Sequence, residues 1–308
     1  MMMVKPRPYR GAADLERMED VLTAGRKADH RSFYVHVGDL RLWLHYTLPE
    51  DQPWSRIYLW EAGQGEIVAW TLFSVADEAF DLFLMPELNG EPVMCSMLAW
   101  SADRMSELLR QAGAAQVHKM WNHPEDAALR RALEHLGFSI RGDASVHMAR
   151  PLDKPIPEAI LPDGYQARGC RGVGEVELRA AAQHAAFESS MAFDRYLERF
   201  LRFMGSPVYD LEQDIVVTAP DGRIASFCKL WLDPTNRVGN FEPVGTHPDF
   251  QRCGLGRAVM LEGLRRLQAW GMTKAIVGTG VLNVPAIRLY EDVGFHTETQ
   301  LLTYARAI

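Results

Sequence analysis

The sequence predicts an α/β protein in which one fold is written twice, and three observations carry that expectation. Apolar residues alternate between the spacing of strands and the spacing of helices along the whole chain. Two landmarks recur at one offset. Gly65-Glu66-Ile67-Val68-Ala69-Trp70 matches Gly222-Arg223-Ile224-Ala225-Ser226-Phe227, and Glu134-His135-Leu136-Gly137-Phe138 matches Glu291-Asp292-Val293-Gly294-Phe295, each 157 residues further on. Gly-Phe after a helix is an ordinary stop, with Gly left-handed and the next apolar residue packing back. That explains either copy, but not a shared offset at sites about 70 residues apart, which points to duplication. Between the copies, Pro151-Leu152-Asp153-Lys154-Pro155-Ile156-Pro157 and Leu161-Pro162-Asp163-Gly164 form the richest proline stretch, read as a stiff linker. The expected division is therefore 1–150, a linker at 151–163, and 164–308.

Each half reads alike. An early strand and amphipathic helices come first, over 12–22 and 175–187. A hairpin follows, turning at Ala62-Gly63-Gln64-Gly65 or at Pro220-Asp221-Gly222. Next come a strand (80–85; 240–246), a helix, a strand (116–120; 274–277), a helix and a final strand. Two strands joined by a helix need a right-handed crossover, so the central pair of each sheet is expected to be parallel.

A chain of 308 residues with 47% hydrophobic and 24% charged residues has the composition of a globular protein and accommodates two full cores. No stretch has the length of a membrane span, and the N-terminal Met-Met-Met-Val-Lys-Pro lacks the apolar core of a signal peptide. The four cysteines, Cys95, Cys170, Cys228 and Cys253, are scattered, with no Cys-x-x-Cys pair and no histidine cluster at metal spacing. They argue for a reduced, cytoplasmic protein without a structural metal. A net charge of −7 speaks against nucleic acid as a partner.

The motif that carries chemistry is Gln251-Arg252-Cys253-Gly254-Leu255-Gly256-Arg257, between a strand (Asn240 onwards) and a helix whose Met260, Leu261, Leu264 and Leu267 recur at helical spacing. A strand entering a helix through such a loop aims backbone N–H groups and the positive end of the helix dipole at an anion, and a diphosphate suits it. Gly254 and Gly256 are expected to supply backbone angles closed to other residues and room for phosphate oxygens. The pattern lacks the Gly-Lys-Ser/Thr of nucleotide hydrolases and the third Gly of dinucleotide folds.

Twenty-seven residues after Gly256 comes Asn283-Val284-Pro285-Ala286-Ile287-Arg288-Leu289-Tyr290, leading to Gly294-Phe295. With the loop, this resembles the GNAT family of acyl-CoA-dependent N-acetyltransferases, from about residue 165 to the C-terminus. The resemblance implies two tandem GNAT-like domains, each a mixed, mostly antiparallel sheet with a splayed parallel central pair and flanking helices. It implies acetyl-CoA as acyl donor, no metal, and direct transfer in a ternary complex to a primary amine of a small-molecule acceptor. With the charge and the lack of a membrane span, no nucleic-acid or membrane partner is expected, and the chain is expected to be a monomer or homodimer. Rival readings are a non-catalytic acyl-CoA-binding module and a protein-amine acetyltransferase. In the first half the counterpart of the loop, Pro92-Val93-Met94-Cys95-Ser96-Met97-Leu98-Ala99, has no glycine, and Tyr290 is matched by Leu133. That half is expected to lack a coenzyme site, similar to tandem GNAT proteins of the mycothiol synthase type.

Acetyl transfer needs a base and an acid. Taking a proton from an amine of pKa about 10.4 at pH 7 costs about 4.6 kcal/mol, and the leaving thiolate, pKa about 8.5, must gain one. The resemblance assigns Tyr290 as the acid; the alternative is a tyrosine packed on its helix. Asn283 is expected at the pantetheine arm, or as a helix cap. Glu242, on the strand before the loop, is the candidate base, two residues nearer the loop than in the commonest family arrangement. Pro243 and Gly245 predict a bulge there, which breaks the period-two count. His247 is its rival, with water-mediated deprotonation a third route. Backbone groups of Val244 and Thr246 are expected to meet pantetheine, and those of Gln251, Arg252, Cys253, Gly254, Leu255, Gly256 and Arg257 the diphosphate. The side chains of Arg252 and Arg257 either pair with phosphates or line a solvated edge; Cys253 has no partner suited to nucleophilic work. Acceptor determinants are expected over 189–204, where Phe193, Tyr196, Phe200 and Phe203 form a stripe that reads first as core.

Overall fold

A computed structural model describes residues 4–28, 34–48 and 56–308, without the side chains of residues 64, 143 and 144. The first half runs β1 (Lys5–Pro8), α1 (Ala12–Ala28), α2 (Val37–Leu42), β2 (Ile57–Glu61), β3 (Ile67–Ser74), β4 (Ala79–Leu84), α3 (Pro92–Ala112), β5 (Gln116–Asn122), α4 (Ala127–His135) and β6 (Ser139–Pro151). The second repeats that order as β7 (Gln166–Gly169), α5 (Val176–Ala186), α6 (Phe193–Met204), β8 (Asp214–Thr218), β9 (Ile224–Asp233), β10 (Val238–Thr246), α7 (Leu255–Ala269), β11 (Lys274–Gly280), α8 (Val284–Asp292) and β12 (His296–Ala307). The expected fold class holds, and the central pairs β4–β5 and β10–β11 are parallel.

The helix stops are shared by the two copies. Gly137 and Gly294 take φ of +81° and +88°. Phe138 N–H donates to Leu133 O and Phe295 N–H to Tyr290 O, both at 2.9 Å. These are the six-to-one bonds of a Schellman stop. In the second copy the stop also seats the Phe295 ring beside that of Tyr290, centroids 6.3 Å apart.

Duplication did not leave two closed sheets. The strand order is β1-β2-β3-β4-β5-β12-β6-β11-β10-β9-β8-β7, one continuous sheet. β12 pairs with β5 of the first half, and β6 pairs with β11 of the second. Each half thus completes its partner's sheet, and β6 and β12 lie antiparallel at the seam. The division at 1–150 and 164–308 is proposed for chain order alone, since the hydrogen-bonded sheet crosses it three times. The proline stretch is irregular but docked. Leu152 is buried, Ile156, Ala159 and Leu161 pack on the second core, and Gln268 Nε2 donates to Leu152 O and Lys154 O.

α7 buries Val259, Met260, Leu264 and Leu267 against Cys228, Leu230 and Phe241, with Met148 of β6 in the same core. A Cβ on Gly239 would lie 2.3 Å from Leu267, and one on Gly263 2.6 Å from Phe241, so these glycines let α7 lie close on β10. α2 of the first half docks on the second half through Gly38, where a Cβ would meet Trp231 at 2.2 Å.

Candidate active site

β10 and β11 pair only as far as Phe241 and Val277. Opposite β9, the register of β10 slips between Phe241 and Val244, so the bulge expected at Glu242-Pro243 is present. Beyond it β10 stays with β9, Val244 opposite Cys228 and Thr246 opposite Ser226. β11 instead stays with β6, Gly278 opposite His147 and Gly280 opposite Ser145. The two strands splay, and the edge of β10 over 242–246 faces the gap without a strand partner. Unpaired main-chain groups of Val244 and Thr246 suit an extended amide-bearing arm.

The glycine loop lies at the end of this gap. Gly254 is the N-cap of α7 with φ +77°, and no side chain caps the helix. Among the described residues none of the N–H groups from 252 to 257 finds a partner, which leaves a row of donors at the positive end of α7. Gly256 differs from expectation: its φ is not positive, so it is not there for a special backbone angle. A Cβ would instead come within 3.2 Å of Thr246 Oγ1 and 3.3 Å of Leu289, so its bareness draws α7 against β10 and α8. Gln251, Arg252, Cys253 and Gly254 are exposed, whereas the Leu255 side chain is buried, leaving its N–H to the loop. Arg257 pairs with Asp292 at 2.8 Å, and Cys253 Sγ lies 3.5 Å from Gln251 O. In the first half α3 begins with Glu91 at the N-cap and Pro92 in the first turn. Pro92 lacks an N–H in the turn where α7 offers donors.

Tyr290 is buried on α8, and its phenol is raised above its ordinary value by burial and then by the charge of Glu242. Glu242 sits on the bulge, and its carbonyl accepts from Trp231 Nε1 at 2.6 Å. Its carboxyl keeps some contact with the cavities it lines, but distance from bulk water and then the charge of Asp39 push it up to about 8. His247 is occupied otherwise: its Nδ1 accepts from Asp249 N–H at 3.2 Å, capping the turn after β10. Asn283 caps α8, Oδ1 accepting from Ala286 N–H at 3.3 Å, while its Nδ2 donates to Thr279 Oγ1 at 3.0 Å.

Glu242 borders two recesses. One, about 340 Å³, continues the splayed gap and is walled by the first half, including Arg26, His36, Asp39, Trp43 and Trp121. The other, about 560 Å³, is open and includes Tyr46, Ser189, Ser190, Tyr196 and Arg199. Of the aromatic stripe, Tyr196, Phe200 and Phe203 are buried as core, and only Tyr196 among them reaches this recess. That the first half stabilises the protein or lines part of the acceptor pocket was legible as a pair of alternatives, but the particular residues of this wall escaped the sequence reading. Its residues lie over 26–47 and 121, remote from the loop, with no motif among them. Asn240 and Glu242 both line the recess of about 340 Å³, and Asn240 Nδ2 donates to Asp39 Oδ1 at 2.7 Å. Among the described residues no three His, Cys, Asp or Glu side chains are grouped to hold a metal ion, and no helix is long and apolar enough to cross a membrane.

Residues 171–295 match the acetyltransferase (GNAT) family. Over 307 residues the chain is 27% identical to a mycothiol acetyltransferase of Saccharomonospora viridis, covering 95% of this chain and 96% of that one. A mycothiol acetyltransferase of Streptomyces bingchenggensis is 31% identical over 205 residues, 63% and 64% of the two chains. Among solved structures, a tandem GNAT protein from the clavulanic acid biosynthesis pathway superposes with TM-score 0.70 at 13% identity, covering 99% of this chain and 98% of the other. A GCN5-related N-acetyltransferase from Sphaerobacter thermophilus gives 0.65 at 19%, covering 99% and 95%; at these identities the likeness is one of fold. With its glycine loop, splayed strands and duplicated architecture, this chain carries a GNAT acetyltransferase domain over residues 171–295 and is an acetyl-CoA-dependent acetyltransferase with the fold in tandem.

Proposed function

We propose that the second half transfers the acetyl group of acetyl-CoA directly to a primary amine of a small molecule seated in the cavity between the halves. The observation that carries this reading is the position of Glu242, where the splayed gap meets that cavity. The loop N–H groups would hold the diphosphate, and the free edge of β10 at Val244 and Thr246 the pantetheine amides. The amine nitrogen attacks the thioester carbon as its proton passes to Glu242. The C–N bond forms, the C–S bond breaks, and the thiolate takes the phenol proton of Tyr290. A carboxylate of ordinary pKa is a poor acceptor for an ammonium proton; one near 8 reduces the mismatch to about 2.4 pKa units, or about 3 kcal/mol.

The two groups are coupled in the useful direction. While Glu242 is ionised, its charge holds the proton on Tyr290. When Glu242 takes the amine proton that charge disappears, and the phenol becomes a better acid as the thiolate departs. The mycothiol acetyltransferases among the relatives support a small, mycothiol-related acceptor, and a cavity walled by both halves favours a small molecule over a protein chain. The test is a screen of amines for acetyl-CoA-dependent thiol release, with mycothiol precursors and lysine peptides as its two poles. Turnover of small amines is expected; turnover of peptides alone would refute the reading.

A further inference from the structure

We propose that Asp39, in the half without a coenzyme loop, is a positioning residue that acts on Glu242 across the seam as a fixed neighbouring carboxylate. The inference rests on Glu242 being the base. Asp39 is held by groups from two elements. Its Oδ2 accepts from His36 N–H at 2.8 Å, closing the capping box of α2, and its Oδ1 accepts from Asn240 Nδ2 at 2.7 Å. Both oxygens are engaged, so the carboxylate has no freedom to swing away. Asp39, Asn240 and Glu242 all line the cavity of about 340 Å³, so Asp39 is tied to a neighbour of Glu242 on the wall they share. α2 is seated through Gly38 on Trp231, whose indole in turn bonds the Glu242 carbonyl. One short segment of the first half therefore fixes the spacing of the two carboxylates.

The electrostatics follow from that geometry. Burial pushes Asp39 up to about 6, against the pull of His36 N–H, Arg26 and Asn240, and Glu242 lies higher, at about 8. Asp39 thus ionises first and is negative throughout the range in which Glu242 titrates. A fixed like charge disfavours the ionised form of Glu242 and makes it the stronger base. Arg26 from α1, His36 before α2, His147 from β6 and Tyr290 from α8 surround the pair, with Glu188 and Arg199 on the outer recess. Burial keeps both histidines neutral at working pH, His36 well below its ordinary value and His147 at about 4. Arg26, buried and with its Nε unpartnered, is a nearby cation and acts on Asp39. A purely structural Asp39 would tie α2 to β10 and leave the pH behaviour of Glu242 unchanged.

The test is the pH profile of kcat/KM for Asp39→Asn, with carboxyl ¹³C titration of the wild-type protein in parallel. In the variant the acid limb should move down by on the order of one pH unit while the high-pH plateau falls several-fold, so that the two profiles cross. A variant limb that stays in place, in a folded protein, overturns the inference. If Asp39→Asn does not fold, the wild-type titration decides. The Glu242 carboxyl, assigned by its loss in Glu242→Gln, should show a main step near 8 and a smaller inflection near 6 as Asp39 ionises; a single step overturns it. Failure of the parent reading looks different: Glu242→Gln would then keep the acid limb, whatever the titration shows.

Discussion

Trp231 Nε1 donates to the carbonyl oxygen of Glu242 at 2.6 Å, and the same side chain is packed against Gly38 of the first half. The bulge that turns β10 away from β11 is therefore braced from outside its own half. This accounts for a half without a coenzyme loop remaining part of the site: it walls the cavity and holds the strand that carries Glu242.

Glu242→Gln should lower kcat/KM most at about pH 8 to 9, where the carboxyl is ionised and the amine still largely protonated, by roughly 10²-fold or more, with the loss shrinking as pH rises further and free amine accumulates. Steady-state rates between pH 6 and 10 check this, and a small loss independent of pH would leave Glu242 a structural role. The sign of the stability effect is also set. Because the folded-state carboxyl is raised to about 8, the native protein holds its proton more tightly than the unfolded chain. Stability from this group is full below the ordinary glutamate range and declines as pH rises towards 8. Melting curves should therefore find the variant more stable than the parent at pH 9 and nearly equal at pH 4.

Tyr290→Phe should reduce kcat by on the order of ten- to a hundred-fold with little change in acetyl-CoA affinity. The ring keeps its packing beside Phe295 while the phenol proton is lost. Single-turnover kinetics with chemistry rate-limiting is the measurement, and an unchanged rate would make Tyr290 a packing residue.

Calorimetry should find one acetyl-CoA site per chain. Gly254→Glu should abolish it, since a carboxylate would stand among the loop donors and the residue would be strained at φ +77°. Met97→Glu is buried in the first core and serves only if it folds; a folded form should bind as the parent does. Two equivalent sites would contradict the assignment.

The exchanged final strands predict that cutting the chain within 152–163 will not separate it. The seven residue pairs between β6 and β11, and the pairing of β12 with β5, should hold the pieces together. Gel filtration after limited proteolysis should show one species near 34.8 kDa that separates only in denaturant. Two folded, separating pieces would contradict the interlocked sheet.

Much of the architecture was legible in the chain because it rests on local rules. Strand and helix spacing gave the order of elements. Proline and glycine at 243 and 245 announced the bulge, and Gly137 and Gly294 marked their helix stops. Gly256 was read in one part by the wrong rule: a glycine beside a left-handed glycine looked like a second turn residue, whereas its φ is not positive and its bareness lets α7 approach Thr246 and Leu289. Close approach leaves no local trace, because the neighbour that demands it lies elsewhere in the chain.

Taken by itself, the amino-acid sequence determined the duplicated α/β fold, the parallel central pairs and the glycine loop that opens α7. Those properties depend on backbone angles and on apolar periods of two and 3.6, which neighbouring residues impose on one another. Only the tertiary structure decided which final strand completes which sheet, that Asp39 is tied to Asn240 beside Glu242, and that the first half walls the cavity. Strand exchange joins edges with the same hydrogen-bonding pattern in either arrangement, so no residue spacing distinguishes them. The contact between Asp39 and Asn240 spans 201 residues, and its geometry exists only once α2 has docked on Trp231.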